Sequence, residues 1–206
     1  MNQGLNFFGN IRVSAIEKEV HQLVTMDALE PGDPKMLIRE YLRVSMAYLM
    51  FLEEKRDGAI KARGCCDGRI QRHYTTKEET SPPTFMQERL RVTFIIDAME
   101  GRDVDIVNIP DAFLQTDMVH GNSIVRVRLC GVLADILVNI DPLKFGDKAI
   151  LEGRHKVIYA DLNKALYVAL IASLLFWRDL SGALGSWGFE PDLYDNCVMN
   201  KTVDGK

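Results

Sequence analysis

Residues Asp105-Ile-Val-Asn-Ile-Pro-Asp-Ala-Phe-Leu-Gln-Thr-Asp117 decide how the rest of the chain is read. The β-branched run at 104–109 predicts a strand, and Pro110 ends it by fixing φ and removing a ladder donor. A tight turn and a short helix follow at Asp111-Ala-Phe-Leu. Strand side chains alternate faces, so Val104 and Ile106 share a face with Asn108, while Asp103 and Asp105 point away. Acidic residues at a strand end beside an aromatic suit a site for metal and phosphate.

Outward from this stretch, strands alternate with amphipathic helices, which predicts an α+β fold with helices packed on a small, mostly antiparallel sheet. Helices are expected at 11–29, 35–54, 85–100 and 164–187, with a shorter one at 132–140. Residues 1–10 are polar and glycine-containing, and order is expected to begin after them. Gly101 stops the third helix, and Gly182 and Gly185 weaken the second half of the fourth. Strands are expected at 123–129, 157–160 and 194–200, the first with apolar Val125, Val127 and Leu129 alternating with Arg126 and Arg128. Three regions result: a helical part at 1–54, a basic hairpin and loop at 55–84, and a larger α+β part at 85–206.

The basic island is compact. Lys55, Arg56, Lys61, Arg63, Arg69 and Arg72 lie within one short span, interrupted by glycines. Glycines let backbone approach a ligand, and Lys and Arg suit phosphate oxygens. A solvated charged hairpin has the same composition, so both readings stand.

Composition bounds the rest. A chain of 206 residues with 47% hydrophobic and 26% charged residues is ordinary for a globular protein, and a net charge of −4 provides no overall basic field. Cys65, Cys66, Cys130 and Cys197 form no CxxC pair, which points to reduced thiols and an intracellular site, cytoplasm and nucleus not being distinguishable. The apolar run 166–177 is too short to span a bilayer, so no membrane partner is expected. His21, His73, His120 and His155 are scattered singly, and no HExxH, phosphate-binding glycine loop or Ser/His/Asp set is present.

Three stretches, in order, resemble the reverse transcriptases of copia-type LTR retrotransposons. Lys61-Ala-Arg63 with Arg69 resembles the family's basic fingers hairpin. Asn108 through Asp117 resembles Asp-(Val/Ile)-x-x-Ala-Phe-Leu-x-x-Asp. Lys164-Ala-Leu-Tyr-Val168 through Trp177 resembles the family's Lys-Ala-Leu-Tyr-Gly palm helix. The resemblance implies fingers and a partial palm. Lys61, Arg63 and Arg69 would grip nucleotide phosphates, Phe113 would be the sugar gate, and Asp111, Ala112, Tyr167 and Val168 would line the pocket. It implies an RNA or DNA primer–template as partner.

The departures fall on the chemistry. The family's magnesium-binding Asp is Asn108 here, its pocket glycine is Val168, and its aromatic-x-Asp-Asp hairpin is expected only beyond Lys206. Intact members use two magnesium ions, hard cations that require anionic oxygens. For this chain, therefore, no cofactor and no polymerisation are expected. The alternatives are a non-catalytic nucleic-acid-binding module and a protein-interaction module. An open sheet edge, left by the missing hairpin, is a further expected route to self-association.

Overall fold

The computed structural model describes residues 2–38, 42–73, 75–76, 80–118, 125–167 and 169–203. Helix α1 (Asn2–Thr25) leads into strand β1 (Leu29–Pro31). A hairpin of β2 (Met46–Glu54) and β3 (Ile60–Cys66) follows. Then come α2 (Gln87–Glu100), β4 (Arg126–Cys130), α3 (Val132–Ile140) and the single turn α4 (Pro142–Phe145). The chain ends with β5 (Ile150–Glu152), β6 (His155–Leu162), α5 (Ala172–Ser186) and the short β7 (Glu190–Pro191) and β8 (Met199–Asn200).

The class is mixed α+β. The main sheet runs β1-β6-β4-β2-β3, with β5 on β6, and every pairing is antiparallel except β2 with β4. One face of the sheet packs on α1 and α3. In α1, Ile16, Val20 and Leu23 recur at helical spacing and are buried, while Glu17 and Lys18 between them are exposed. In α3, Leu133, Ala134, Ile136 and Leu137 are buried, and Phe145 of α4 is wholly enclosed. Val127 and Leu129 of β4 and Ile158 and Ala160 of β6 complete this core. Each large side chain so enclosed stabilises the fold by roughly 1.5–3 kcal/mol.

The opposite face of β4 is basic, as its alternation predicts, but its charge is neutralised within the sheet. Arg126 sits opposite Asp161 on β6 and bonds it through Nε and Nη2 at 2.6 and 3.0 Å. Arg128 bonds Glu152 at 2.6 Å through Nη2, and the Tyr159 hydroxyl donates to the same carboxylate at 2.6 Å. That donated bond, followed by Arg128, holds Glu152 below the usual carboxylate range.

Several expectations are corrected. Residues 35–54 are not a helix: after a 3-10 turn at Pro34–Met36 the chain enters β2. Ile38, Leu42, Met46 and Leu49 fit a helical stripe, but from Met46 onward the backbone is committed to ladders, with β4 at Met46 and Ala47 and with β3 from Tyr48, and Met46 and Tyr48 point inward at strand spacing. The strand at 104–109 does not form. Residues 102–109 make no ladder, and Ile106 is 98% exposed. A β-prone sequence needs a neighbour, and both sides of β4 are already taken by β6 and β2. Asn108 therefore pairs with neither β4 nor the 194–200 segment.

The helix expected at 164–187 shortens to α5. Lys164 forms an isolated bridge with Asp117, and the Ala165 N–H bonds the Thr116 carbonyl, so these groups face across the fold rather than along a helix. The strand expected at 194–200 shrinks to β8, which pairs only with β7 in a separate ribbon. Helix α1 reaches back to Asn2, where order was expected to begin after residue 10. Helix α2 matches its expected span and ends at Gly101 in a left-handed cap (φ 65°), yet none of its residues is buried, so it does not back the sheet. The first residues of the strand expected at 123–129 lie outside the described residues.

Candidate functional site

A cavity of about 580 Å³ opens between α1, the β2–β3 hairpin and the segments at 111–114 and 166–167. Glu19 and Gln22 face it from α1, Tyr48, Phe51 and Glu53 from β2, and Lys61 and Arg63 from β3. Asp111, Leu114, Leu166 and Tyr167 close the other side. Four residues singled out from sequence, Lys61, Arg63, Asp111 and Tyr167, thus meet at one opening although they span more than half the chain.

Strand geometry explains the basic pair. Lys61 and Arg63 are exposed and flank buried Ala62, so both ammonium and guanidinium project from one face of β3. The register puts Lys61 opposite Glu53 and Arg63 opposite Phe51. Arg63 reaches the Glu53 carboxylate at 3.7 Å with both side chains more than half exposed, a pair worth under about 1 kcal/mol.

Gly64 holds this hairpin in an unusual way. A Cβ placed there would lie 1.5 Å from the Tyr48 hydroxyl, because the tyrosine ring crosses the space above the glycine. The Gly64 N–H donates to Glu19 Oε1 at 2.8 Å, tying β3 to α1. Among the described residues the Tyr48 hydroxyl has no hydrogen-bond partner. Burial pushes its pKa well up, and Glu19 adds to the shift. The Cys66 N–H bonds the Tyr167 carbonyl at 3.0 Å, and buried Gln71 accepts from the Leu170 N–H at 2.7 Å. These bonds set the far wall of the cavity.

The other candidates are placed elsewhere. Arg69 does not line the cavity: its guanidinium and backbone N–H fold onto Asp67, holding that carboxyl down at about 2. Phe113 is half-buried against the core, edge-on to Tyr167 at 4.8 Å and to Phe176 at 5.8 Å, which is a packing position. Ala112 opens the 3-10 turn Ala112–Gln115, and Asp111 precedes it at φ 51° with no capping bond from its side chain. Asn108 is exposed on the unpaired 102–109 stretch and does not line the cavity. Val168 lies outside the described residues.

Asn108 offers a neutral amide, and among the described residues no group of three His, Cys, Asp or Glu side chains is arranged to hold a metal ion. Glu19, Tyr48 and Phe51 were not legible as cavity residues, because the first two helices read as scaffold. Nor did any sequence signal mark Gln71. No helix among the described residues is long and apolar enough to cross a membrane. No family model, curated protein or solved structure matches the chain.

Proposed function

We propose that the chain is a degenerate reverse-transcriptase-like module of the copia type that holds nucleic-acid phosphates without polymerising. The observation that carries this reading is the convergence of Lys61, Arg63, Asp111 and Tyr167 on one cavity, since these residues come from three separate stretches of the resemblance. Lys61 and Arg63 are the phosphate ligands. Among the described residues Arg63 pairs only with exposed Glu53, so its charge is available. Chemistry is absent because polymerisation needs carboxylates to place two metal ions, and the residue in the first of those positions is an amide outside the cavity. The exposed apolar surface of α2 favours a second reading, protein interaction.

Fluorescence anisotropy with a labelled RNA–DNA primer–template tests the proposal. Affinity should fall steeply between about 50 and 200 mM salt, and replacing Lys61 and Arg63 together by Ala should flatten the log–log slope by about 2. Arg69→Ala should change little, because Asp67 already clamps that side chain. No binding at low salt, or binding unaffected by the double substitution, overturns the reading.

A further inference from the structure

We propose that residues 103–106 of a second copy of this chain add as an antiparallel strand to the edge of β3, with Asp105 opposite Lys61 and Asp103 opposite Arg63. Among the described residues β3 ends the main sheet and pairs with β2 alone. Its Gly64 and Cys66 N–H groups leave that ladder, the first bonding Glu19 Oε1 and the second the Tyr167 carbonyl. Even-numbered residues of β3 therefore turn their backbone groups to the edge, and at Ile60 and Ala62 no strand receives them. The cavity follows this edge. Five consecutive residues, Lys61 to Cys65, line it, although alternate side chains of a strand point to opposite faces. Ala62 is buried from bulk solvent but opens onto the cavity. Strand addition uses such an edge: main-chain hydrogen bonds supply affinity and the alternating side chains supply specificity.

Charge and periodicity identify the occupant. Residues 102–109 form neither turn nor ladder, and Ile106 is 98% exposed. Asp103 and Asp105 are exposed, have no ion pair among the described residues, and alternate with Val104 and Ile106. Lys61 and Arg63 alternate in the same way with Ile60 and Ala62. Laid antiparallel, the two strands match on both faces: acids meet cations on one, and Val104 and Ile106 meet Ala62 and Ile60 on the other. Because the edge groups fall at 60 and 62, the charged pairs take the narrow, non-hydrogen-bonded positions, where cross-strand side chains approach closest. Sliding this register by two residues leaves one cation without its acid. The other acids of the cavity are placed elsewhere: Glu19 is engaged by the Gly64 N–H, Glu53 lies one strand further in, and Asp111 stands on the far side. Each copy carries one donor segment and one receiving edge, so the exchange is reciprocal and closes at two copies. This contact stands apart from the phosphate reading, although both draw on Lys61 and Arg63.

Sedimentation velocity over a wide range of concentration, with charge exchange, is the test. A species of twice the 23.3 kDa chain mass is expected at low salt. One variant carries Lys61→Glu with Arg63→Glu, and the other carries Asp103→Lys with Asp105→Lys. Each alone sets like charges against each other at both contacts and should dimerise roughly thirtyfold more weakly or worse. An equimolar mixture restores opposite charges at both contacts, so a mixed dimer should return. All four side chains are exposed, so both variants keep the fold, and recovery on mixing checks this independently of circular dichroism. The variant altered at 103 and 105 keeps both phosphate ligands. Loss of its dimer with primer–template binding retained separates this contact from the phosphate reading. Register is read by oxidising a Lys61→Cys chain with an Asp105→Cys chain: the antiparallel ladder predicts this link in preference to one between Lys61→Cys and Asp103→Cys. A monomer at all concentrations, open-ended polymers, a dimer indifferent to the charge reversals, a mixture that stays monomeric, or preferred linkage to position 103 overturns the proposal.

Discussion

Helices α3 and α2 are built from similar residues and end in opposite situations. Leu133, Ile136, Leu137 and Ile140 of α3 fall on a single stripe, and that stripe meets the sheet. In α2, Leu90 and Phe94 lie on one side and Val92, Ile95, Ile96 and Met99 on the other. A helix with one stripe needs one wall. One with two needs two, and its own chain encloses neither: Leu90 is 39% and Phe94 48% exposed. Apolar content therefore does not decide burial; its angular arrangement and the walls in reach do.

The largest expected difference between the two regions is in stability. Leu137→Ala should cost about 2–5 kcal/mol in urea unfolding, since the side chain is fully enclosed. Ile106→Ala, measured in dilute solution, should stay within about 0.5 kcal/mol. Equal costs would mean that 102–109 is packed after all.

The hairpin under the cavity sharpens the contrast. Gly64→Ala should cost about 1–3 kcal/mol, because its Cβ overlaps the Tyr48 ring and hydroxyl. Tyr48→Phe should be neutral or slightly stabilising in the same unfolding assay, as it removes a buried hydroxyl without a partner. A large loss from Tyr48→Phe would reveal a bond to that oxygen.

Acid should detach the loose region before the core unfolds. The Asp195 carboxylate accepts from the backbone N–H groups of Cys197 and Met86, and these bonds lower its pKa, with Arg89 contributing less. Because the folded pKa is depressed, this anchoring is fully present above the ordinary carboxylate value near 4 and is lost as pH falls through the lower folded value. Hydrogen exchange at the Met86 and Cys197 amides should accelerate selectively in that window, and Asp195→Ala should reproduce the effect at neutral pH. A smaller effect is expected at Glu53: its change to Gln frees Arg63 and should tighten primer–template binding by up to about fivefold.

The packed half was legible in the sequence because its signals are local. Val132–Ile140 has one clean stripe bounded by Gly131 and Asp141-Pro142, and 157–160 is a continuous apolar run, so both elements form where expected. The β2 strand was hidden because Ile38, Leu42, Met46 and Leu49 fit a helical stripe, and only pairing with β3 and β4 decides. The 104–109 run failed for the converse reason: its residues favour a strand, but the sheet has no free edge beside β4. At the site, Lys61 and Arg63 were readable from alternation. Glu19 and Tyr48 were not, since their role depends on how α1 crosses the hairpin.

Primer extension tests most directly the claim of binding without chemistry. The chain and its Asn108→Asp variant are each given magnesium, deoxynucleotides and a primer–template that anisotropy shows to be bound. No added nucleotide is expected from either, because residue 108 lies outside the cavity that Lys61 and Arg63 line. Magnesium-dependent extension by the unmodified chain would mean a working metal site without residue 108, and extension by Asn108→Asp alone would place residue 108 in one; either result contradicts the account.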